Sequence, residues 1–181
     1  MTKMNGKALF LDRDGVLNER IVDGYATRIE DFKILDGVLD ALAMLSHKFD
    51  RIFMVTNQQG IGKGLMTDED LQSIHGWFLE QVEAAGGRFD KIYYCPKLHS
   101  EHSFMRKPSI GMALQARREF PDISLRNSVM VGDMESDMVF GHRAGMQTVL
   151  VGDSAKDLPR LKPYLVDFCY RDLLEYAKSL K

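Results

Sequence analysis

Short, unbroken apolar runs separated by longer stretches of helical periodicity constrain this chain more than any other feature. Ala8–Leu11, Ile52–Val55, Ile92–Tyr94, Val129–Val131 and Thr148–Val151 show no polar alternation, the pattern of strands buried on both faces. A sixth strand is predicted over Leu165–Phe168. Between the runs, Gly37–Lys48 places Val38, Leu39, Leu42 and Leu45 at helical spacing. Thr67, followed by Asp68, Glu69 and Asp70, predicts an N-cap opening a helix that ends near Gly86-Gly87. Ser109 is the expected cap of a helix running to about Phe120, a short helix is expected around Met138–Ala144, and Arg171–Leu180 closes the chain as a helix. Helices of about ten residues or more supply the crossovers that parallel strands require. The expected fold class is therefore α/β: a doubly wound, mostly parallel, Rossmann-like sheet.

Length and charge narrow the partners. At 181 residues the chain is long enough for one ordinary domain of roughly 150 residues. The expected organisation is one domain over 1–181, with a motif-bearing core at about 7–152 and a C-terminal strand and helix at about 163–181. A content of 45% hydrophobic and 28% charged residues excludes a disordered or membrane-embedded chain. With 24 Lys+Arg against 26 Asp+Glu, the formal charge of −2 offers no basic surplus for nucleic acid. Cys95 and Cys169 fit neither a disulfide framework nor a zinc ribbon. Met1–Lys7 lacks the apolar segment of a signal peptide, and no apolar run approaches the ~18 residues of a membrane span. A cytoplasmic protein with neither membrane nor nucleic-acid partner is expected.

In an open parallel sheet, ligands bind beyond the carboxyl ends of the strands. The polar residues at those ends are Asp12 and Asp14 after the first strand, Thr56-Asn57 after the second and Asp133 after the fourth, while Arg106-Lys107 precedes the helix after the third. Asp137 lies one helical turn beyond Asp133 and faces the same way. Asp12 and Asp14 alternate across Arg13, so an extended segment points both to one side. With Asp133 they crowd three carboxylates together, an arrangement that calls for a cation. Oxygen-only ligands favour a hard ion such as Mg²⁺. Asp12 as nucleophile, Asp14 as acid and base, and Thr56 with Lys107 around the moving group make a phosphoryl-transfer site for a small phosphate ester. Each piece alone has a blander explanation. Asp-x-Asp-Gly is often a turn, Thr-Asn a strand-end hydrogen bond, Arg-Lys a solvated pair and Gly-Asp a helix cap. Coincidence explains the whole set, in order at one rim, poorly.

These residues resemble the haloacid-dehalogenase-type phosphatases. Asp12-Arg13-Asp14-Gly15-Val16-Leu17-Asn18 is similar to the first motif, Thr56 to the second, Lys107 to the third and Gly132-Asp133 with Asp137 to the fourth. Thr56-Asn57-Gln58-Gln59-Gly60-Ile61-Gly62-Lys63-Gly64, Tyr93-Tyr94-Cys95-Pro96 and Arg106-Lys107-Pro108 narrow the likeness to the branch of heptose bisphosphate and histidinol phosphate phosphatases. The likeness runs from about Phe10 to Val151. It implies a nearly capless enzyme with Asp12, Asp14, Thr56 and Lys107 catalytic. Mg²⁺ would sit on Asp12, the Asp14 carbonyl and Asp133, with Asp137 in support. Arg13, Tyr25, Asn57, Gln58 and Arg106 would lie on the substrate side, Gly24-Tyr25 being similar to the Gly-Tyr of the family's substrate loop but farther from Asn18. D-glycero-D-manno-heptose 1,7-bisphosphate is the best substrate match and histidinol phosphate the alternative.

Two departures qualify the match. Many members carry a Cys-x-His…Cys-x-Cys zinc loop, but here the positions read Cys95, Lys97, Ser103 and Met105, so structural zinc is not expected even with His99 and His102 nearby. Met134 stands where the family has a basic residue after its fourth-motif Asp. The glycines at 60, 62 and 64 fit neither a P-loop nor a dinucleotide fingerprint, and are expected to let backbone approach a ligand. A phosphate-accepting receiver domain also uses carboxylates, a Thr and a Lys, but takes phosphate after a central strand rather than the first. A nucleic-acid end phosphatase lacks its basic surface.

Overall fold

Six strands, β1 (Ala8–Leu11), β2 (Arg51–Asn57), β3 (Lys91–Cys95), β4 (Val129–Gly132), β5 (Gln147–Val151) and β6 (Phe168–Tyr170), form one sheet in the order β3-β2-β1-β4-β5-β6. Every neighbouring pair is parallel. A computed structural model of the protein describes residues 6–152 and 163–180. Residues 1–5, part of the N-terminal stretch without an apolar segment, lie outside the described residues, as do 153–162 and Lys181 of the expected single domain.

Alternate residues of each central strand feed opposite faces, as the period of two dictates. Leu9, Leu11, Ile52, Met54, Val129 and Val131 pack against α1 (Val38–Leu45), α3 (Asp68–Ala84) and α6 (Leu173–Ser179), α2 (Gln59–Gly62) being a single turn after β2. Ala8, Phe10, Phe53, Val55 and Met130 face α4 (Gly111–Glu119) and α5 (Glu135–Arg143). Both faces are dry, and so the strands read as continuous apolar runs. No large cap is present among the described residues. Asn18–Asp36 is an irregular segment with a single 3-10 turn at Ile29–Asp31. Among the described residues no helix is long and apolar enough to cross a membrane.

Several boundaries differ from expectation for local reasons. Thr56 and Asn57 are the last residues of β2 rather than a loop after it. Thr67 caps α3 as expected: its Oγ1 accepts from the Asp70 N–H (3.1 Å) and Asp70 Oδ2 accepts from the Thr67 N–H (2.8 Å). Ser109 does not cap α4. Ile110 occupies that position, and the Gly111 N–H is satisfied by the Phe104 carbonyl at 3.1 Å. The short helix begins at Glu135, earlier than Met138, because the Asp137 carboxylate accepts from the Met134 N–H at 3.1 Å. The closing helix starts at Leu173, with Asp172 accepting from the Glu175 N–H at 2.8 Å. The sixth strand is Phe168–Tyr170, not Leu165–Phe168. Pro163–Leu165 turns as a 3-10 helix that buries Leu165 against Met138 and Leu150, and the Asp167 side chain accepts from the Thr148 N–H (2.8 Å), delaying strand pairing.

Candidate active site

β1 and β4 are neighbours whose following connections leave toward different parts of the sheet, so their carboxyl ends open a crevice. A cavity of about 570 Å³ lies there, lined by Asp12, Asp14, Thr56, Lys107, Asp137 and the loop Arg20–Ala26. Asp12 directly follows β1, and its backbone N–H donates to the Val131 carbonyl at 3.0 Å, fixing it against β4. Gly15 (φ +90°) then turns the chain so closely past Asp133 that a Cβ there would lie 2.1 Å from its Oδ2. Gly132 lets Asp137 come equally near, its virtual Cβ being 2.2 Å from the Asp137 Cβ. These two glycines bring Asp133 and Asp137 in beside Asp12, Asp137 also lining the cavity.

Lys107 is buried between two acids: its Nζ is 2.7 Å from Asp12 Oδ1 and 2.7 Å from Asp137 Oδ1. Oxygens of Asp12, Asp133 and Asp137 lie within 4.8 Å of one another, the one such group of three or more acids, histidines or cysteines among the described residues. Burial, reinforced by Asp137 and opposed by Lys107, lifts the Asp12 pKa to about 6. Burial and the Asp12 charge raise Asp133 to about 6 as well, against Arg20 and Lys107. An all-oxygen cluster under that electrostatic pressure suits a hard divalent cation.

Asp14 sits differently. Burial would raise its pKa, but the Arg13 charge and hydrogen bonds from Arg13, Asn18 and Gln58 outweigh it and hold the carboxyl below its ordinary range. Arg13, only 1% exposed, donates to it from Nη2 (3.0 Å) and Nε (3.2 Å). Asn18 Nδ2 and Gln58 Nε2 each donate at 3.0 Å. Thus Asp12 and Asp14 line one cavity, while the Asp14 oxygens are turned into a buried donor set.

The residues expected on the substrate side divide. Tyr25 lines the cavity, its hydroxyl accepting from Gln59 Nε2 (2.8 Å) and its ring lying 5.2 Å from Lys63 Nζ. Arg106 also lines it, anchored by Nη1 on the Lys97 carbonyl at 3.1 Å, with a buried Nε that has no partner among the described residues. Arg13 and Gln58 are buried and spend their donors on Asp14, Gln58 also donating to Thr56 Oγ1 at 2.8 Å. Asn57 holds the Lys107 backbone from both ends, Nδ2 to the carbonyl and Oδ1 from the N–H, each at 3.0 Å. Arg13 and Asn57 line the cavity as well, and all three side chains support the charged groups. Of the glycines after Asn57, Gly64 faces open space. Gly60 lies against the Tyr25 ring and Gly62 against the Pro96 carbonyl. Cys95 is buried at the end of β3, whereas His99 and His102 are exposed in the following turn.

Sequence reasoning missed two residues. Arg20, in the lengthened stretch before Gly24-Tyr25, reaches Asp133 and the Asp14 carbonyl. The extra length was the available signal. His75 of α3 is buried with its Nε2 3.4 Å from Arg13 Nη1, and burial followed by the Arg13 charge depresses its pKa to about 3. The folded state therefore holds His75 neutral while the unfolded chain protonates below 6.5, so stability is lost as pH falls from 6.5 toward 3. At pH 5 the loss is about 2 kcal/mol. Asp12 and Asp133, lifted to about 6, gain stability over the same interval, so the readout is the difference between proteins: in urea unfolding at pH 7 and 5 the native protein should lose about 2 kcal/mol relative to His75→Gln, and parallel pH responses would clear His75 of the effect.

Known proteins bear on this arrangement. A HAD-hydrolase-like family model matches residues 104–176. The D-glycero-alpha-D-manno-heptose-1,7-bisphosphate 7-phosphatase of Campylobacter jejuni is 36% identical over 177 residues, 94% of this chain and 100% of that protein. The D-glycero-beta-D-manno-heptose-1,7-bisphosphate 7-phosphatase of Vibrio cholerae is 39% identical over 159 residues, 83% of each chain. Among solved structures, the D,D-heptose 1,7-bisphosphate phosphatase of B. bronchiseptica, complexed with magnesium and phosphate, superposes with a TM-score of 0.88 at 31% identity, covering 96% of this chain and 97% of that one. Motifs, sheet order and these relatives agree: the chain belongs to the haloacid-dehalogenase superfamily of phosphatases, in its heptose bisphosphate and histidinol phosphate branch, and is a phosphoric monoester hydrolase.

Proposed function

We propose that the chain removes the 7-phosphate of D-glycero-D-manno-heptose 1,7-bisphosphate, using Mg²⁺ and a covalent aspartyl-phosphate on Asp12. The observation that carries this reading is Lys107 Nζ held at 2.7 Å from both Asp12 and Asp137, beside Asp133, on the floor of a cavity large enough for a sugar phosphate. Asp12, Asp133 and the Asp14 carbonyl would hold the ion, with Asp137 in support; once bound it would offset the charge that otherwise keeps a carboxylate from a phosphate.

Asp12 would attack phosphorus while the sugar oxygen leaves with a proton from Asp14. A water would then attack the acyl phosphate, giving its proton back to Asp14 and releasing inorganic phosphate. The low pKa of Asp14 suits the second half. In the first half an entering phosphate dianion supplies the negative charge that raises it. Lys107 and the Thr56 hydroxyl stabilise the equatorial oxygens, and Arg106, Lys63 and Tyr25 face the rest of the substrate. Arg13, Gln58 and Asn57 act as positioning residues through Asp14 and Lys107.

Phosphate release with Mg²⁺ should be compared for both anomers of the heptose bisphosphate and for histidinol phosphate. The expected result is a preference of ~100-fold in kcat/KM for a heptose bisphosphate, about 2.7 kcal/mol of differential transition-state binding. Chelation by EDTA should abolish the release and added Mg²⁺ restore it. Equal or better turnover of histidinol phosphate overturns the substrate assignment, and full activity in EDTA overturns the metal.

A further inference from the structure

Arg20 places a second cation on the carboxylate cluster, opposite Lys107. Its Nε donates to Asp133 Oδ2 at 3.0 Å and its Nη2 to Asp133 Oδ1 at 2.7 Å, a side-on pair. The same Nη2 donates to the Asp14 carbonyl at 2.7 Å and stands 3.8 Å from Asp12 Oδ2. One guanidinium therefore engages Asp133, the Asp14 carbonyl and the free oxygen of Asp12, the oxygens expected to hold a divalent ion. Lys107 takes the other side, Asp12 Oδ1 and Asp137 Oδ1.

The two cations differ in how they are held. Lys107 is 2% exposed and its backbone is gripped by Asn57. The Arg20 side chain is 41% exposed, springs from the irregular stretch after β1, and can swing toward the cavity mouth without disturbing the sheet. Charge favours an exchange. Three acids with Lys107 alone are formally two positive charges short; Arg20 supplies one and a divalent ion supplies both. Mg²⁺ needs its oxygens at ~2.0–2.1 Å in octahedral array, so lone pairs already accepting guanidinium hydrogens must be given up first.

We infer that Arg20 is an internal competitor for the metal site, bound to Asp133 and the Asp14 carbonyl until Mg²⁺ displaces it. This rests on the Mg²⁺ reading above. The side chain lowers apparent metal affinity by the fraction of time it occupies the site, and it keeps Asp133 partnered in the ion-free protein. Once displaced, its fork remains at the cavity mouth.

The test is calorimetric titration of the full chain with Mg²⁺ alone, without substrate, for the native protein, Arg20→Gln and Arg20→Lys. Arg20→Gln is expected to bind Mg²⁺ about 10-fold more tightly, and Arg20→Lys, which keeps a smaller competing charge, to fall between. Thermal unfolding supplies an independent readout: Arg20→Gln should melt below the native protein in EDTA and match it at saturating Mg²⁺. Unchanged or weaker Mg²⁺ binding in Arg20→Gln overturns the inference, as does a melting deficit that persists at saturating Mg²⁺, the mark of a purely structural tie. Absence of Mg²⁺ binding in all three proteins removes the metal reading and this inference with it, whereas equal binding in all three removes only this inference.

Discussion

Asp12→Asn is expected to lower turnover by at least ~10⁴-fold, because an amide cannot form the acyl phosphate that the proposed route requires. The substitution should not cost folding. Burial and Asp137 make a charged Asp12 expensive enough to lift its pKa to about 6, and an uncharged isostere removes that cost while its oxygen still accepts from Lys107. A melting temperature no lower than native, together with lost phosphate release, would separate chemistry from structure. Residual turnover within ~10-fold of native would move the nucleophile elsewhere. Asp14→Asn is the companion: a burst of leaving group from an aryl phosphate without sustained turnover would show the two half-reactions parted.

Lys107→Met should do the opposite, damaging fold and function together. It leaves Asp12 and Asp137 buried, 2.7 Å from where their shared cation stood. Breaking a buried pair by removing one partner costs about 3–5 kcal/mol, and losing the cation beside the transferring group costs a further ~10²–10³ in rate. Denaturant titration at pH 7 measures the first and phosphate release the second. Adding Asp137→Asn to Lys107→Met should recover much of the stability and none of the activity. A loss below ~1 kcal/mol in the single variant would mean the acids relax to water instead.

The fold was legible because the sheet is dry on both faces: Phe10 and Leu11 point opposite ways, yet both are buried, and no polar residue interrupts the run. The rim was legible because Asp12, Thr56 and Asp133 sit at strand ends that topology alone brings together, with Lys107 delivered there by the loop after β3. What escaped depends on where a side chain turns after its backbone is placed. Strand alternation put Asp14 beside Asp12, but could not show that Arg13, Asn18 and Gln58 would draw its oxygens inward. Motif position placed Asn57 at the cavity, which it lines, but did not reveal that its amide also grips the Lys107 backbone or that the Gln58 amide would bind Asp14 and Thr56. Arg20 was hidden because its partners lie 113 residues away on Asp133 and across an irregular loop with no period to read. Ser109 carried the right chemistry for a cap and lost the position to Ile110, where a carbonyl from the preceding loop had already taken the helix N–H.

The double grip of Asn57 on Lys107 has a consequence for how this protein can change over generations. The lysine is moored to the end of β2, not to the ribbon of chain that delivers it from β3. Residues 96–106 are then a tether braced within itself, by Arg106 Nη1 on the Lys97 carbonyl (3.1 Å) and the Leu98 N–H on Glu101 (2.7 Å), while Asn57 fixes the cation at its end. Such a tether can shed ornaments, and this one has Lys97, Ser103 and Met105 where many members of the superfamily branch carry zinc ligands. Insertions, deletions and the gain or loss of a metal knuckle can accumulate over residues 97–105 under weak selection, so long as the amide at position 57 and the cavity-lining Arg106 survive.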